Sequence, residues 1–223
     1  MHTSGASGVC VFSAPLGSPL SCEREDLLAQ LAAALDSGAG PHGFFMRTWG
    51  AGLAYSNGVR PSPTWGRMSY YAERCPDPAQ TMRFVVELAR DPARHSAALG
   101  DYALAQLVSA HRMSEHLATR AGGAAADQLD GQTPDAVRRQ RDALLALRAD
   151  PTLWEAVRAR YERAVGSVLV GFGPRSREVG GAFLTIANEP LLAGWERYVR
   201  EVEGEDEWVA RIYPADFWLY PAK

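Results

Sequence analysis

The chain lacks several features that mark whole classes of protein. Lysine occurs only once, as Lys223, so arginine carries nearly all of the positive charge, and 23 basic residues stand against 26 acidic ones. A net charge of −3 creates no broad positive field, so charge provides no support for nucleic acid or an anionic membrane as a partner. No run approaches the ~20 apolar residues that a membrane-spanning helix needs. We therefore expect a soluble protein of the cytoplasm or the periplasm.

Cysteine is scarce as well, with three residues at Cys10, Cys22 and Cys75. No two of them have the C-x-x-C spacing of a metal site, and an odd number argues against a disulfide framework. Residues 7–10 look like a lipoprotein cleavage site, but no basic and apolar leader precedes them, which excludes that interpretation. We expect small core or surface residues in a reducing compartment.

No motif of a self-sufficient enzyme is complete. Residues 38–43 read G-x-G-x-x-G, but a helix rather than a strand is predicted before them, and Pro41 lacks one of the amides that would bind a phosphate. His111 and His116 flank Glu115 much as in the zinc motif H-x-x-E-H, yet their spacing of five residues points them about 140° apart on a helix. No G-x-S-x-G elbow occurs. The chain is therefore expected to hold no catalytic residue, no metal and no cofactor of its own.

The spacing of apolar residues predicts an α+β fold with a mixed, largely antiparallel sheet packed by several helices. Strands are expected at residues 9–12, 53–56, 68–73, 167–171 and 208–212, and those at 53–56 and 68–73 are expected to form a hairpin. Helices are expected at residues 21–35, 78–90, 101–119, 135–147, 152–165 and 188–199. The dipeptide Asn57-Gly58 predicts a turn. Gly100 is expected to interrupt a helix, and residues 122–132 to form a loop.

The chain shows no internal repeat and no boundary between domains. Residues 1–8 are rich in serine and glycine and are expected to be a linker. Residues 9–223 are expected to form a single α+β domain, and a length of 223 residues is enough for one sizeable core. A start at a linker suits either a fragment of a longer protein or a separately encoded subunit.

The segment at residues 44–58 combines an arginine, two glycines and a tyrosine. Arg47 offers five N–H donors in a fixed fork, which suits a peptide carbonyl or a carboxylate, and Tyr55 adds one hydroxyl. Gly50 and Gly52 allow another backbone to approach closely. Two interpretations follow from these residues: a buried arginine paired with an acid beside a core tyrosine, or a device that holds a substrate.

This segment resembles the Arg…Gly-x-x-Tyr segment of insulinase (pitrilysin)-family zinc metallopeptidases, especially the presequence-protease branch. The order of elements agrees, with a helix before the segment, a strand at residues 67–71 after it, and a Pro-Asp-Pro helix start at residues 76–78. The run at residues 167–174 is similar to the closing layout of such a domain. The similarity spans residues 9–174 in the order of elements, and at residue level it lies in the Arg-Tyr segment alone.

The resemblance implies a mitochondrial-processing-peptidase-like metallohydrolase domain. In that family the zinc motif lies in another domain, while the C-terminal domain lacks zinc and provides an arginine and a tyrosine that hold the substrate. Those roles would fall on Arg47 and Tyr55, which are eight residues apart here, one or two more than in the family. The expected partners are a peptide substrate and the other domains or subunits of the same peptidase, with zinc held by a partner domain.

Three functions therefore remain open. The first is a non-catalytic, substrate-holding C-terminal domain that completes the peptide-cleavage chamber of a zinc metalloendopeptidase. The second is a non-enzymatic pseudo-peptidase subunit that acts as a scaffold or binds a partner. The third, with the least support, is a free-standing dinucleotide-binding domain.

Overall fold

The computed structural model of the chain describes residues 6–18, 20–37, 43–62, 65–110, 116–129, 131–169, 181–203 and 209–212. The strands in these ranges are β1 Gly8–Pro15, β2 Ser56–Ser62, β3 Arg67–Cys75 and β4 Ala182–Ile186. The helices are α1 Arg24–Ala34, α2 Phe44–Gly50, α3 Pro78–Ala89, α4 Ala97–Ala110, α5 Leu117–Leu129, α6 Pro134–Leu147, α7 Leu153–Leu169 and α8 Glu189–Glu203, with a 3₁₀ turn at Pro92–Arg94.

The four strands form one sheet in the order β2-β3-β1-β4, and every neighbouring pair is antiparallel. Side chains alternate along each strand, so Cys10, Phe12 and Ala14 of β1 are buried while Val11 and Ser13 between them are only half-buried. The sheet therefore has an inner face that packs on helices and an outer face that is partly open. The predicted α+β fold is confirmed. An antiparallel hairpin does precede α3, but its first strand is Ser56–Ser62, so the strand predicted at residues 53–56 is wrong except at Ser56.

The core lies between the inner face of the sheet and the helices. Helix α1 is its centre, because every residue from 27 to 34 is buried and the helix packs against both α4 and α7. Phe12 of β1 stacks on Phe183 of β4 with ring centroids 4.2 Å apart, and α8 covers this end of the sheet with Trp195 and Tyr198. The side chains in this layer are large and apolar, so their burial provides the main stabilising term of the fold.

Several predicted helix starts are confirmed together with their caps. The carboxylate of Asp77 accepts hydrogen bonds from the amides of Ala79 and Gln80 at 2.9 and 3.1 Å, at the start of α3. The Thr133 hydroxyl likewise accepts from the amide of Ala136 at 3.2 Å at the start of α6. A proline follows each cap, where its missing N–H costs no helical hydrogen bond.

The turn predicted at Asn57-Gly58 is wrong, because both residues lie inside β2 and pair with Ala72 and Tyr71 of β3. Asn57 is buried, and its side-chain amide donates to the carbonyl of Phe45 at 3.2 Å. Pairing with β3 and this buried hydrogen bond outweigh the local preference of the dipeptide for a turn.

Two positions that were predicted to be irregular are helical in the structure, so both predictions are wrong. The loop expected at residues 122–132 is mostly α5, which continues to Leu129 before Gly131 adopts a φ of +73°. Gly100 does not interrupt a helix either, since α4 runs through it. Alanine-rich sequence favours a helix in both places, and this preference outweighs Gly100 in α4 and the adjacent Gly122 and Gly123 in α5.

The strand predicted at residues 167–171 is wrong at residues 167–169, the described part of this range, because these residues are the end of α7. The strand that pairs with β1 is instead β4, which the sequence pattern did not predict. No strand occurs at residues 209–212, the described part of the last predicted strand. Short apolar runs cannot be assigned to helix or strand by periodicity alone, so these assignments depended on pairing partners far away in the chain.

Gly100 leads to a stability prediction, because a Cβ atom at this position would lie 2.9 Å from the ring of Trp154. We expect Gly100→Ala to lower the free energy of unfolding, since overpacking costs about 1–3 kcal/mol and outweighs the ~1 kcal/mol that alanine gains in a helix. Gly122→Ala in α5 is the matched control and should stabilise slightly, because a Cβ atom there meets open space. Urea unfolding of both variants provides the measurement, and equal stability of Gly100→Ala and the unchanged chain would contradict the expected clash.

Candidate functional site

The segment that contains Arg47 is a short helix, α2. Helix α2 buries Phe44 and Thr48 and exposes Arg47 and Trp49, of which Trp49 is 51% exposed. The helix ends where the amide of Leu53 donates to the carbonyl of Thr48 at 3.1 Å. This ending directs the chain into β2 and leaves one cation and one large aromatic ring in solvent.

Gly52 is the glycine of this segment that the backbone requires. Its φ of +71° lies in the left-handed region, which a residue with a Cβ atom adopts only at a cost. A Cβ atom at Gly50 or Gly52 would meet no other atom within 4 Å. The predicted close approach of another backbone therefore does not occur within the described part of this chain, and the space above the turn is open.

Tyr55 is a surface residue held at the edge of the sheet. Its amide donates to the carbonyl of Glu73 at 3.1 Å, which ties it to the end of β3, and its ring is 63% exposed. The guanidinium carbon of Arg74 lies 4.8 Å from the centre of that ring. Such a contact restricts the orientation of the ring while the hydroxyl remains accessible.

The structure therefore does not match the interpretation of a buried arginine paired with an acid beside a core tyrosine. Both side chains are exposed, and Arg47 has no acidic partner within the part of the chain that the structure describes. The two residues lie on either side of one short connection, between α2 and β2. No hydrogen bond or ring contact between their side chains occurs among the described residues.

Arg74 is a residue of this site that sequence reasoning missed. Gly8 pairs with Cys75 while Cys10 pairs with Ala72, so β3 has one extra residue at this point and forms a β-bulge. Arg74 adopts a φ of +52°, a left-handed conformation that costs roughly 1–2 kcal/mol for a residue with a side chain. The bulge directs Arg74 towards Tyr55. No local sequence motif reveals a bulge, because it is a property of the register between two strands.

A second cluster of polar residues surrounds Asp36, which follows α1 and is fully buried. Its carboxylate accepts hydrogen bonds from the hydroxyl of Tyr161 at 2.7 Å and from the guanidinium of Arg94, and it lies 3.1 Å from Nε2 of His95. Arg94 also donates to the hydroxyl of Tyr161 at 3.1 Å. Burial, followed by the negative charge of Asp36, raises the pKa of Tyr161.

The Asp36 cluster resembles a catalytic arrangement in its residue types but not in its access. Asp36 and His95 have side chains with no exposed area, and Arg94 is 12% exposed. A reactant cannot reach groups that are closed off in this way, so the cluster connects the end of α1 with the α3–α4 connection and with α7. Its role is structural, and the sequence contains no local motif that predicts it.

The metal and membrane expectations can be compared only with the described residues. In these ranges, no group of three or more His, Cys, Asp and Glu residues is arranged to hold a metal ion. None of the described helices has the length and apolar character needed to cross a membrane. Residues 38–42 of the glycine motif and residues 111–115 of the histidine motif lie outside the described residues.

The cysteines lie where small apolar residues are expected. Cys10 and Cys75 are buried in neighbouring strands and Cys22 is exposed, and all three are free thiols. A hydrogen bond with Cys75, together with burial, raises the pKa of the Cys10 thiol. A protonated, buried thiol is a poor nucleophile, which argues against a role for Cys10 in chemistry.

Comparison with known proteins supports the fold but not a sequence family. No protein-family model and no curated protein matches the chain. A crystal structure described as a candidate zinc protease from Bordetella pertussis aligns with a TM-score of 0.56 and 14% identity, covering 81% of this chain and 94% of that one. A second, described as the inactive peptidase domain of a candidate zinc protease from Bordetella parapertussis, aligns with the same TM-score and identity over 85% and 98% of the two chains. The chain therefore shares the α+β fold of these two structures.

Proposed function

We propose that the chain is the non-catalytic, substrate-holding C-terminal domain of an insulinase-like zinc metalloendopeptidase, with Arg47 and Tyr55 as the residues that hold the peptide. The observation that carries this proposal is the placement of Tyr55. Its ring is 63% exposed, yet a strained residue, Arg74, restricts its orientation. Residues in strained, sparsely populated backbone conformations are concentrated at functional sites. Here the strained residue, Arg74, contacts the solvent-exposed ring of Tyr55.

The side chains of the site suit holding rather than cleavage. Arg47 offers N–H donors to a carbonyl or carboxylate, and the Tyr55 hydroxyl donates one further hydrogen bond to the bound peptide or to its oxyanion. Among the described residues, no three His, Cys, Asp or Glu side chains are grouped so that they could hold a metal ion. In this proposal zinc belongs to a partner domain, where it would supply a metal-bound water for hydrolysis.

Tyr55→Phe tests this proposal in the assembled peptidase, in which the chain is combined with the domain that carries the zinc motif. We expect kcat/KM for a fluorogenic peptide to fall about tenfold, the effect of one lost hydrogen bond of about 1.4 kcal/mol, while the unfolding midpoint stays unchanged because the hydroxyl is exposed. Tyr102→Phe on α4 is the matched control, since Tyr102 is also exposed and lies outside the sheet. Unchanged kinetics for Tyr55→Phe would contradict the role of Tyr55.

The second candidate is a pseudo-peptidase subunit that binds a partner through the same fold. It is favoured by Leu184 and Ile186 of β4, which are 53% and 54% exposed on the outer face of the sheet. Exposed apolar side chains on a sheet commonly mark an interface. The same experiment separates the two candidates, because a scaffold would tolerate both Tyr55→Phe and Arg47→Ala without any change in turnover.

A further inference from the structure

The outer face of the sheet carries two arginines on neighbouring strands. Arg60 of β2 pairs with Ser69 of β3, and Ser62 pairs with Arg67, so the two arginines are diagonal neighbours on the same face. Diagonal neighbours of this kind lie roughly 7 Å apart. This figure is the separation of the positions from which the two side chains project, and both side chains place a positive charge on this face.

Contacts on the same face hold both arginines in defined orientations. The guanidinium carbon of Arg60 lies 4.2 Å from the centre of the Tyr71 ring. The Nε of Arg67 donates to the hydroxyl of Ser13 at 3.1 Å, which draws this side chain across β1. These contacts reduce the entropy that each arginine would lose on binding a ligand.

Neither arginine has a carboxylate partner among the described residues, although other arginines of the chain do. Ion pairs join Arg24 to Asp150, Arg83 to Glu201 and Arg211 to Glu189. Arg60 and Arg67 instead retain N–H donors that point to no acid in the described ranges. An arginine fork with free donors is a preferred binding group for a carboxylate.

The spacing of the pair suggests the form of the ligand. Side chains on one face of an extended peptide recur every second residue, at about 6.6–6.8 Å. This repeat is close to the roughly 7 Å between the two sheet positions from which the arginine side chains project. Val11 and Tyr71 provide a partly apolar surface beside the pair, and Trp65 is 63% exposed at the hairpin turn.

We propose that the Arg60–Arg67 pair selects peptide substrates that carry two carboxylates two residues apart, and this specificity rests on the peptide-holding function proposed above. Tyr55 lies at the opposite end of the hairpin, five positions before Arg60 in the chain. Arg74 also lies at that end, beside the Tyr55 ring, so the charge of Glu73 is offset there. The two carboxylates that the Arg60–Arg67 pair selects would lie four or five residues from the position that Tyr55 holds.

The test measures fluorescence anisotropy of labelled peptides of about ten residues with the whole chain at low salt. One peptide contains Glu-Ala-Glu near one end, a second contains Gln-Ala-Gln, and a third contains Glu-Ala-Ala-Glu, which places its carboxylates on opposite sides of an extended chain. We expect the first peptide to bind about tenfold more tightly than the other two, with the preference lost at high salt.

Variants then assign the preference to the two arginines. Arg60→Gln with Arg67→Gln should bring the affinity of the Glu-Ala-Glu peptide down to that of the Gln-Ala-Gln peptide. Arg120→Gln with Arg158→Gln is the matched control, since these exposed arginines lie on α5 and α7 and the change in net charge is the same. The control variant should bind the Glu-Ala-Glu peptide more tightly than the other two peptides by the same factor as the unchanged chain.

Other outcomes would overturn the proposal in distinguishable ways. Equal binding of all three peptides, weakened by Tyr55→Phe, would overturn the selectivity and leave peptide holding in place. Binding of no peptide at all would overturn both proposals. A single-stranded oligonucleotide that binds more tightly than the Glu-Ala-Glu peptide, through the same arginines, would replace the acidic peptide with nucleic acid as the ligand.

Discussion

Asp36→Ala should lower the free energy of unfolding by about 3–5 kcal/mol, the usual cost of removing one partner from a buried ion pair. Asp36 is fully buried, and its carboxylate accepts hydrogen bonds from Arg94 and Tyr161. Without it, Arg94 keeps its charge in a site where only 12% of the side chain is exposed. The variant leaves a buried cation without its anion, which is why the loss exceeds that of one ordinary hydrogen bond.

Asp135→Ala is the matched control for this prediction. Asp135 pairs with Arg138, and their side chains are 72% and 66% exposed, so we expect no measurable change in stability. Replacing Asp36 and Arg94 together, as Asp36→Ala with Arg94→Met, should recover part of the lost stability because the unpaired charge is removed. Urea unfolding compares the variants, and equal losses for Asp36→Ala and Asp135→Ala would contradict a structural role of the cluster.

Phe12→Ala is expected to lower the free energy of unfolding by a similar amount, about 3–5 kcal/mol, for a different physical reason. Phe12 is 1% exposed and lies in β1, which has β3 on one side and β4 on the other. Its ring stacks on Phe183 at 4.2 Å, and Phe183 also contacts Trp195 of α8. Removing the ring leaves a cavity at the point where β4 and α8 join the rest of the domain.

Hydrogen exchange provides a sharper measurement than global stability for Phe12→Ala. We expect the amides of β4 to lose protection more than those of β2, because β4 depends on the Phe12 contact while β2 pairs with β3 on the far side of the sheet. Phe12→Leu keeps most of the side-chain volume and is the control with a smaller loss. Uniform loss of protection in β2 and β4 would show that Phe12 does not specifically hold β4.

Local signals in the sequence predict those parts of the fold whose causes lie within a few residues. A helix start needs a capping side chain and a proline, and both Asp77-Pro78 and Thr133-Pro134 act within one turn. The hairpin of β2 and β3 is local as well, although its first strand lies at Ser56–Ser62 and not at the predicted residues 53–56. The dipeptide Asn57-Gly58 is an exception, because a buried hydrogen bond to Phe45 in another element outweighs its turn preference.

The residues of the candidate site also differ in whether local sequence is enough to predict them. Arg47 and Tyr55 can be selected from one short segment, because an arginine and a tyrosine near glycines suggest a binding role without reference to the rest of the chain. Predicting Arg74 as part of the site would require knowledge of the β-bulge in β3. Predicting the Arg60–Arg67 pair would require the exact register of β2 on β3. A shift of one residue in that register would send either arginine to the opposite face.

Composition and local pattern thus account for the α+β class, most helices, the hairpin and the choice of Arg47 and Tyr55, because each depends on contacts close in the chain. Tertiary structure alone decided that β4 pairs with β1 and that Asp36 joins partners 59 and 125 residues away. It also left Arg47 and Tyr55 in solvent rather than in the core. The physical reason is that strand register, burial and long-range hydrogen bonds form between distant segments, and no short stretch of sequence specifies both partners.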